Sequence, residues 1–208
     1  GTISTDNRGA LLVATGDAGN PNAAADPGSL AGKVLRIDTS GKAAAGNPGG
    51  SLVVAAGLHA PGGLCASADG ARVWVTDRLA DKDALYRVQA GQPLTTPAWT
   101  WPDKPGVAGC ADFIDADGYV AIVTSLAGNL QDVPVSKDGA VTGKPQVRMD
   151  GKTGKPPETF GRLAGMSMIN PQLAVTGTVN KDGGTPVSSD DRVVLIAPAT
   201  ADGGNGRD

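Results

Sequence analysis

One short pattern recurs four times and limits the fold more than any single residue does. A turn built on Asn, Asp or Gly leads into a β-rich run that ends in Thr. Asn7-Arg8-Gly9 precedes Leu11-Leu12-Val13-Ala14-Thr15, and Asp69-Gly70 precedes Val73-Trp74-Val75-Thr76. Asp117-Gly118 precedes Val120-Ala121-Ile122-Val123-Thr124, and Asn170-Pro171 precedes Leu173-Ala174-Val175-Thr176. Thr15, Thr76, Thr124 and Thr176 lie 61, 48 and 52 residues apart. Turn-strand units repeated at this spacing are the signature of β-propeller blades. A second apolar run follows each unit: Gly32–Asp38, Ala84–Val88, Leu130–Val135 and Arg192–Ile196. These are expected to pair with the first runs, with Leu52–Ala55 and Gln146–Met149 as strands in the middles of blades.

Composition agrees with an all-β chain. Its 208 residues include 31 glycines and 15 prolines, which suit many tight turns. Aromatics are only 3%, so Val, Ala, Leu and Ile must build the core. A net charge of -3 argues against nucleic acid as a partner, because phosphates demand a basic face. No apolar run reaches the roughly 18 residues of a membrane-spanning helix. The chain opens at Gly1, almost directly in a strand, which reads as a processed or truncated product. Cys65 and Cys110 have no metal-motif spacing; two buried thiols and one structural disulfide are the open alternatives.

Residues 1–200 are therefore expected to form about four propeller blades, and residues 201–208 a flexible tail. Four blades can close a small ring. As part of a six-bladed ring they leave exposed edges, so N-terminal blades are expected from the full-length protein or from another chain.

Several ordered segments resemble the soluble glucose/sorbosone dehydrogenase family. They are Gly16-Asp17-Ala18-Gly19, Gly32-Lys33-Val34-Leu35-Arg36, Leu58-His59-Ala60-Pro61-Gly62-Gly63-Leu64, Trp101-Pro102 and Arg192–Ala199. The resemblance runs over nearly the whole chain. It implies a six-bladed propeller that binds pyrroloquinoline quinone and calcium at its axial face and oxidises aldose sugars. It also resembles family members anchored as lipoproteins on actinobacterial envelopes. The quinone carries the chemistry, while the protein supplies orientation and charge.

The chain departs from the family where that cofactor would be held. His59 and Ala60 stand where the family has an Arg-Asn pair, and Ala127 where it has a Lys. Of a Gly-Arg-x-Arg pair, Arg162 is kept and Ala164 replaces the second arginine. Arg78 and Leu79 fall near the family's calcium-side carbonyls, and its catalytic His belongs to a blade before Gly1.

Asp17 and His59 are the catalytic candidates, and Arg162 is the cofactor-binding candidate. Each has a bland alternative. Asp17 can simply bond its own turn amides, His59 can be an ordinary loop residue, and Arg162 can pair with a nearby carboxylate. Asp77, Asp81 and Asp83 lack the spacing of a calcium loop and read as a solvated charged segment. Lys152, Lys155, Pro156 and Pro157 read as a stiff surface linker. Trp99 and Trp101 can stack on sugars at a mouth, though at least one is expected in the core.

The expected function is a propeller with an eroded quinone site: a non-catalytic extracytoplasmic protein, secreted or lipid-anchored, that binds a glycan, a peptide or an envelope protein, or acts as a scaffold. No cofactor and no metal are then expected. The alternative is an active quinone-dependent aldose sugar dehydrogenase, which would need pyrroloquinoline quinone and calcium.

Overall fold

The computed structural model describes residues 1–115, 118–149 and 159–197. The expected tail at 201–208 and the Lys152–Pro157 linker lie outside the described residues.

Four antiparallel sheets follow one another along the chain. The first blade is β1 (Thr2–Thr5), β2 (Leu11–Ala14), β3 (Lys33–Ile37) and β4 (Val53–Ala56). The second is β5 (Pro61–Ala66), β6 (Val73–Arg78), β7 (Asp83–Arg87) and β8 (Trp99–Trp101). The third is β9 (Val107–Asp115), β10 (Gly118–Ser125), β11 (Leu130–Val135) and β12 (Gln146–Arg148). The fourth is β13 (Leu163–Asn170), β14 (Leu173–Thr178) and β15 (Val193–Ile196). One short α-helix, α1 (Pro21–Ala25), and a 3-10 turn at Pro48–Gly50 interrupt the described strands, and no described helix is long and apolar enough to cross a membrane.

The first strand of each sheet packs on the first strand of the next, and β2, β6 and β10 pack on the first strand of the blade that follows. The sheets are thus blades around an axis lined by β1, β5, β9 and β13. Three apolar clusters fill the gaps between blades. Leu12, Val34 and Val54 meet Leu64 and Val75; Trp74 and Leu85 meet Val107 and Val123; Phe113 and Ile122 meet Leu163 and Ile196. Neighbours on one strand, such as Trp74 and Val75, serve opposite gaps because side chains alternate across a sheet. Both faces of the second and third blades are buried, which is why strands such as β6 and β10 read as continuous apolar runs.

Two of the four recurring threonines, Thr76 and Thr124, bond across this packing, while Thr15 and Thr176 bond carbonyls of their own blades. Thr76 Oγ1 donates to Ala108 O at 2.5 Å, from the second strand of one blade to the first strand of the next. Thr124 Oγ1 makes the same crossing to Ala164 O at 3.3 Å, and also reaches Gly109 O in its own blade. Opposite these threonines the first strands carry glycine. A Cβ on Gly63 would strike the Ala108 carbonyl and Gly109 Cα, and one on Gly109 would strike the backbone of Gly165 and Met166. Only glycine lets the first strands approach this closely around the axis.

Cys65 on β5 and Cys110 on β9 form a disulfide with a Cα–Cα separation of 5.7 Å, which settles the two cysteine alternatives. Two placements are corrected. Leu52–Ala55 and Gln146–Met149 fall on β4 and β12, the fourth and outermost strands, rather than in blade middles. The fourth blade has three strands among the described residues. The outer faces of the end blades leave Ile3, Val193 and Leu195 exposed at 63%, 73% and 61%.

The disulfide links residues 45 apart in sequence, so loop closure should stabilise the fold by about 4 kcal/mol. Urea unfolding of the Cys65→Ser/Cys110→Ser variant should show a loss approaching that figure. A midpoint unchanged by both substitutions would contradict a stabilising cross-link.

Candidate functional site

In an antiparallel meander, alternate connections leave from the same end. The β2–β3, β4–β5, β6–β7, β8–β9, β10–β11, β12–β13 and β14–β15 connections therefore share one mouth of the propeller. Hydrogen bonds tie these loops to one another. Asp17 N donates to His59 O at 2.9 Å, Lys104 Nζ to Ala80 O at 2.8 Å, and Leu126 N to Gly106 O at 2.9 Å. Asp17, His59 and Arg162 all belong to this mouth.

The long β2–β3 loop is organised from within. Asn20 caps α1 by accepting from Asn22 N, and Pro21 suits the first turn of a helix. Lys33 is fully buried, and its Nζ donates to the carbonyls of Ala23, Ala24 and Ala31 at 2.8, 3.0 and 2.8 Å. The lysine of Gly-Lys-Val-Leu-Arg is thus a staple for this loop, and burial lowers its pKa. Gly32, at φ 68°, sits against Ala24 and closes the loop onto Gly16 O.

This loop delivers Asp17 to His59. Asp17 Oδ2 lies 3.0 Å from His59 Nδ1, while Oδ1 accepts from Gly19 N at 2.9 Å. The turn reading of Asp17 holds, and its other carboxylate oxygen faces His59. The His59 hydrogen bond, then the Gly19 amide, hold its carboxyl below the ordinary range. With Asp17 ionised, the shared proton sits on Nδ1, so a neutral ring presents Nε2 as an acceptor. The His59 side chain is 36% exposed, so the ring is accessible from solvent.

The backbone under His59 is fixed by a residue that was expected in solvent. Asp77 is fully buried at the end of β6. Its Oδ2 accepts from His59 N at 2.9 Å and its Oδ1 from Ala60 N at 2.6 Å. Burial pushes the Asp77 carboxyl up, and the two amides oppose that shift. Asp83 is also buried and accepts from the amides of Gly106 and Val107, ahead of β9. The solvated-segment reading is therefore corrected for Asp77 and Asp83, which cap the backbone leading into β5 and β9 respectively. Asp81 alone of the three is exposed.

Arg162 stands apart from this pair. Its backbone N donates to Asn180 Oδ1 at 2.7 Å and its carbonyl accepts from Val179 N. The side chain lines a cavity of about 500 Å³ together with Ala127, Phe160 and Asp190. Its Nε is buried without a partner among the described residues, and no carboxylate pairs with it there. Ala164 lies in the inter-blade seam, where its carbonyl accepts from Thr124 and Thr176. Trp101 is buried on β8 and donates to Gln131 Oε1 at 3.1 Å; it and Trp99 lie on the blade's fourth strand. Among the described residues no cluster of three His, Cys, Asp or Glu side chains converges as a metal site.

The sequence reading passed over one buried assembly between the second and third blades. Arg72 forks onto Asp112 at 2.6 and 2.9 Å, Trp74 Nε1 donates to the same carboxylate at 2.7 Å, and Tyr119 stacks on the guanidinium. Nothing local signals it, because Arg72 and Asp112 lie 40 residues apart.

A profile of the glucose/sorbosone dehydrogenase family matches residues 1–106. No curated protein sequence matches the chain. Among solved structures, the PQQ-bound aldose sugar dehydrogenase from Streptomyces coelicolor is similar at 25% identity and a TM-score of 0.77; the match covers 90% of this chain and 58% of that one. The soluble aldose sugar dehydrogenase from Escherichia coli in its apo form shares the fold at 16% identity and a TM-score of 0.67, with 86% and 60% covered. The chain therefore spans less than two thirds of these relatives' length.

His59 is the sole histidine, so its imidazole is a single NMR reporter on Asp17. A depressed carboxyl contributes stability above its unfolded pKa and loses it as pH falls through the folded value. The His59 signals should therefore show an acid inflection below the ordinary aspartate value of about 3.9. The Asp17→Asn variant should lack it. An inflection at or above that value would contradict the pairing.

Proposed function

We propose, on the premise that this chain belongs to the glucose/sorbosone dehydrogenase family, that its quinone mouth has been lost and that it serves as an extracytoplasmic binding or scaffold protein. The observation that carries this reading is the donor set at the mouth. A trianionic quinone needs several cations and free amides around it. Where the resemblance calls for Arg, Asn, Lys and a second Arg, the chain has His59, Ala60, Ala127 and Ala164. The His59 ring faces Asp17, and the amides of His59 and Ala60 are both taken by Asp77. Arg162 alone remains of the family's cations. The residues present do not fit the quinone, and no reaction step is derived through it. Each missing charge-assisted bond is worth about 1.5–3 kcal/mol, so three or four together weaken binding by several powers of ten. Arg78, exposed near where the calcium-side carbonyls are expected, adds a charge that opposes a dication.

The partner is a glycan, a peptide or an envelope protein. The disulfide supports an oxidising compartment, and with it secretion or a lipid anchor. Exposed Ile3, Val193 and Leu195 support further blades, from the rest of the protein or from another chain.

A second reading, an active quinone-dependent aldose sugar dehydrogenase, is favoured by one feature. A histidine oriented by a carboxylate, with its other ring nitrogen open, is suited to act as a general base. Reconstitution with pyrroloquinoline quinone and calcium, followed by dye-linked oxidation across a panel of aldoses, separates the two. The expected outcome is no turnover and no saturable quinone binding at micromolar concentration. Robust turnover on any aldose overturns the binding-protein reading.

A further inference from the structure

At the end of the propeller opposite the mouth, the β1–β2, β5–β6, β9–β10 and β13–β14 connections surround another cavity. Its volume is about 460 Å³, and residues of all four blades line it. One wall is apolar, made by Ile114, Tyr119, Met168, Ile169 and Pro171. Ile114 on β9 and Ile169 on β13 are 60% and 56% exposed. Large apolar side chains left open around a concavity mark a place where something binds.

The apolar wall is preformed. The Arg72 guanidinium stacks 4.2 Å from the Tyr119 ring centroid, and Asp112 and Lys137 O fix that guanidinium in turn. The polar wall is already satisfied from within. Asn7 Nδ2 donates to Ser67 O at 3.0 Å, while Ser67 Oγ and Ala71 N both donate to Asp69 Oδ1. The charges around the cavity also balance among the described residues. Arg72 is paired with Asp112, and Asp69 has Arg8 beside it, whose Nε bonds the Asp69 carbonyl at 2.9 Å. No net charge is left there to select an anion or a cation. The soft wall selects instead: an aromatic ring gains from contact with the Tyr119 ring and the Met168 sulfur beyond the area it buries.

We propose that this cavity binds a small uncharged aromatic molecule, with its rings against Tyr119, Met168 and the two isoleucines. The cavity is within the size range of small-molecule sites and is separate from the mouth, whatever the mouth binds.

Isothermal titration of the 208-residue chain at neutral pH tests the assignment, with 2-naphthol as the probe and its saturated counterpart, decahydro-2-naphthol, as the comparison. The aromatic probe should bind saturably, with a dissociation constant on the order of 0.1 mM. The saturated probe should bind at least about threefold more weakly. Ile114→Glu and Ile169→Glu should each weaken 2-naphthol binding by about fivefold or more, with the melting temperature without ligand unchanged because both side chains are exposed. Leu195→Glu, at an equally exposed apolar position away from the cavity, should leave binding as it is. Absence of saturable binding, which would leave the wall to a protein or lipid surface, overturns the proposal. So does equal affinity for the two probes, or an equal effect of Leu195→Glu and the two isoleucine variants.

Discussion

Close approach of the first strands around the axis is the constraint on which the rest of the structure depends. Gly63 and Gly109 are pressed so tightly by the next blade that no side chain fits. Thr76 and Thr124 then send their hydroxyls across the same seam to carbonyls of the following first strand. The two features need each other. Glycine brings the neighbouring backbone within reach, and the threonine satisfies a carbonyl that the close packing shields from water. The Cys65–Cys110 disulfide and the Arg72–Asp112 pair reinforce the gap between the second and third blades. A chain with 3% aromatics gains its inter-blade cohesion from this combination of small residues, polar crossings and aliphatic clusters.

The same constraint explains what was legible beforehand. Second and third strands such as Val73–Arg78 and Leu130–Val135 are rich in β-branched and aliphatic residues, and they stand out in the sequence. First strands such as Pro61–Ala66 do not, because the glycines that let blades meet are those that ordinarily argue against a strand. The recurring threonine was visible as a pattern, but the bonds of Thr76 and Thr124 to the next blade were not. Asp77 and Asp83 looked like solvent-facing charge because they alternate with Arg78, Asp81 and Lys82. Their partners are backbone amides 17 to 24 residues away, which leave no mark in a local pattern. Asp17 and His59 were singled out by separate arguments, and only folding reveals that, 42 residues apart, they face each other.

Scaffold and mouth have diverged in character. The seam residues, the buried aspartates and the Lys33 staple satisfy the backbone that carries the loops, whatever those loops bind. The loops themselves supply a histidine–aspartate pair, an Arg162 that meets no carboxylate among the described residues, and small side chains. A fold shared with sugar dehydrogenases therefore leaves function to be argued from the site rather than from the architecture.

Gly109 and Gly165 occupy corresponding positions on β9 and β13, but only Gly109 is covered by a following blade. A Cβ on Gly165 meets nothing within 4 Å. Urea unfolding of Gly109→Ala and Gly165→Ala in this 208-residue chain tests the axial seam directly. Gly109→Ala should cost about 3 kcal/mol or prevent folding, and Gly165→Ala should change stability by no more than about 0.5 kcal/mol. Equal effects at the two positions would contradict the claim that glycine at the seam holds the blades together.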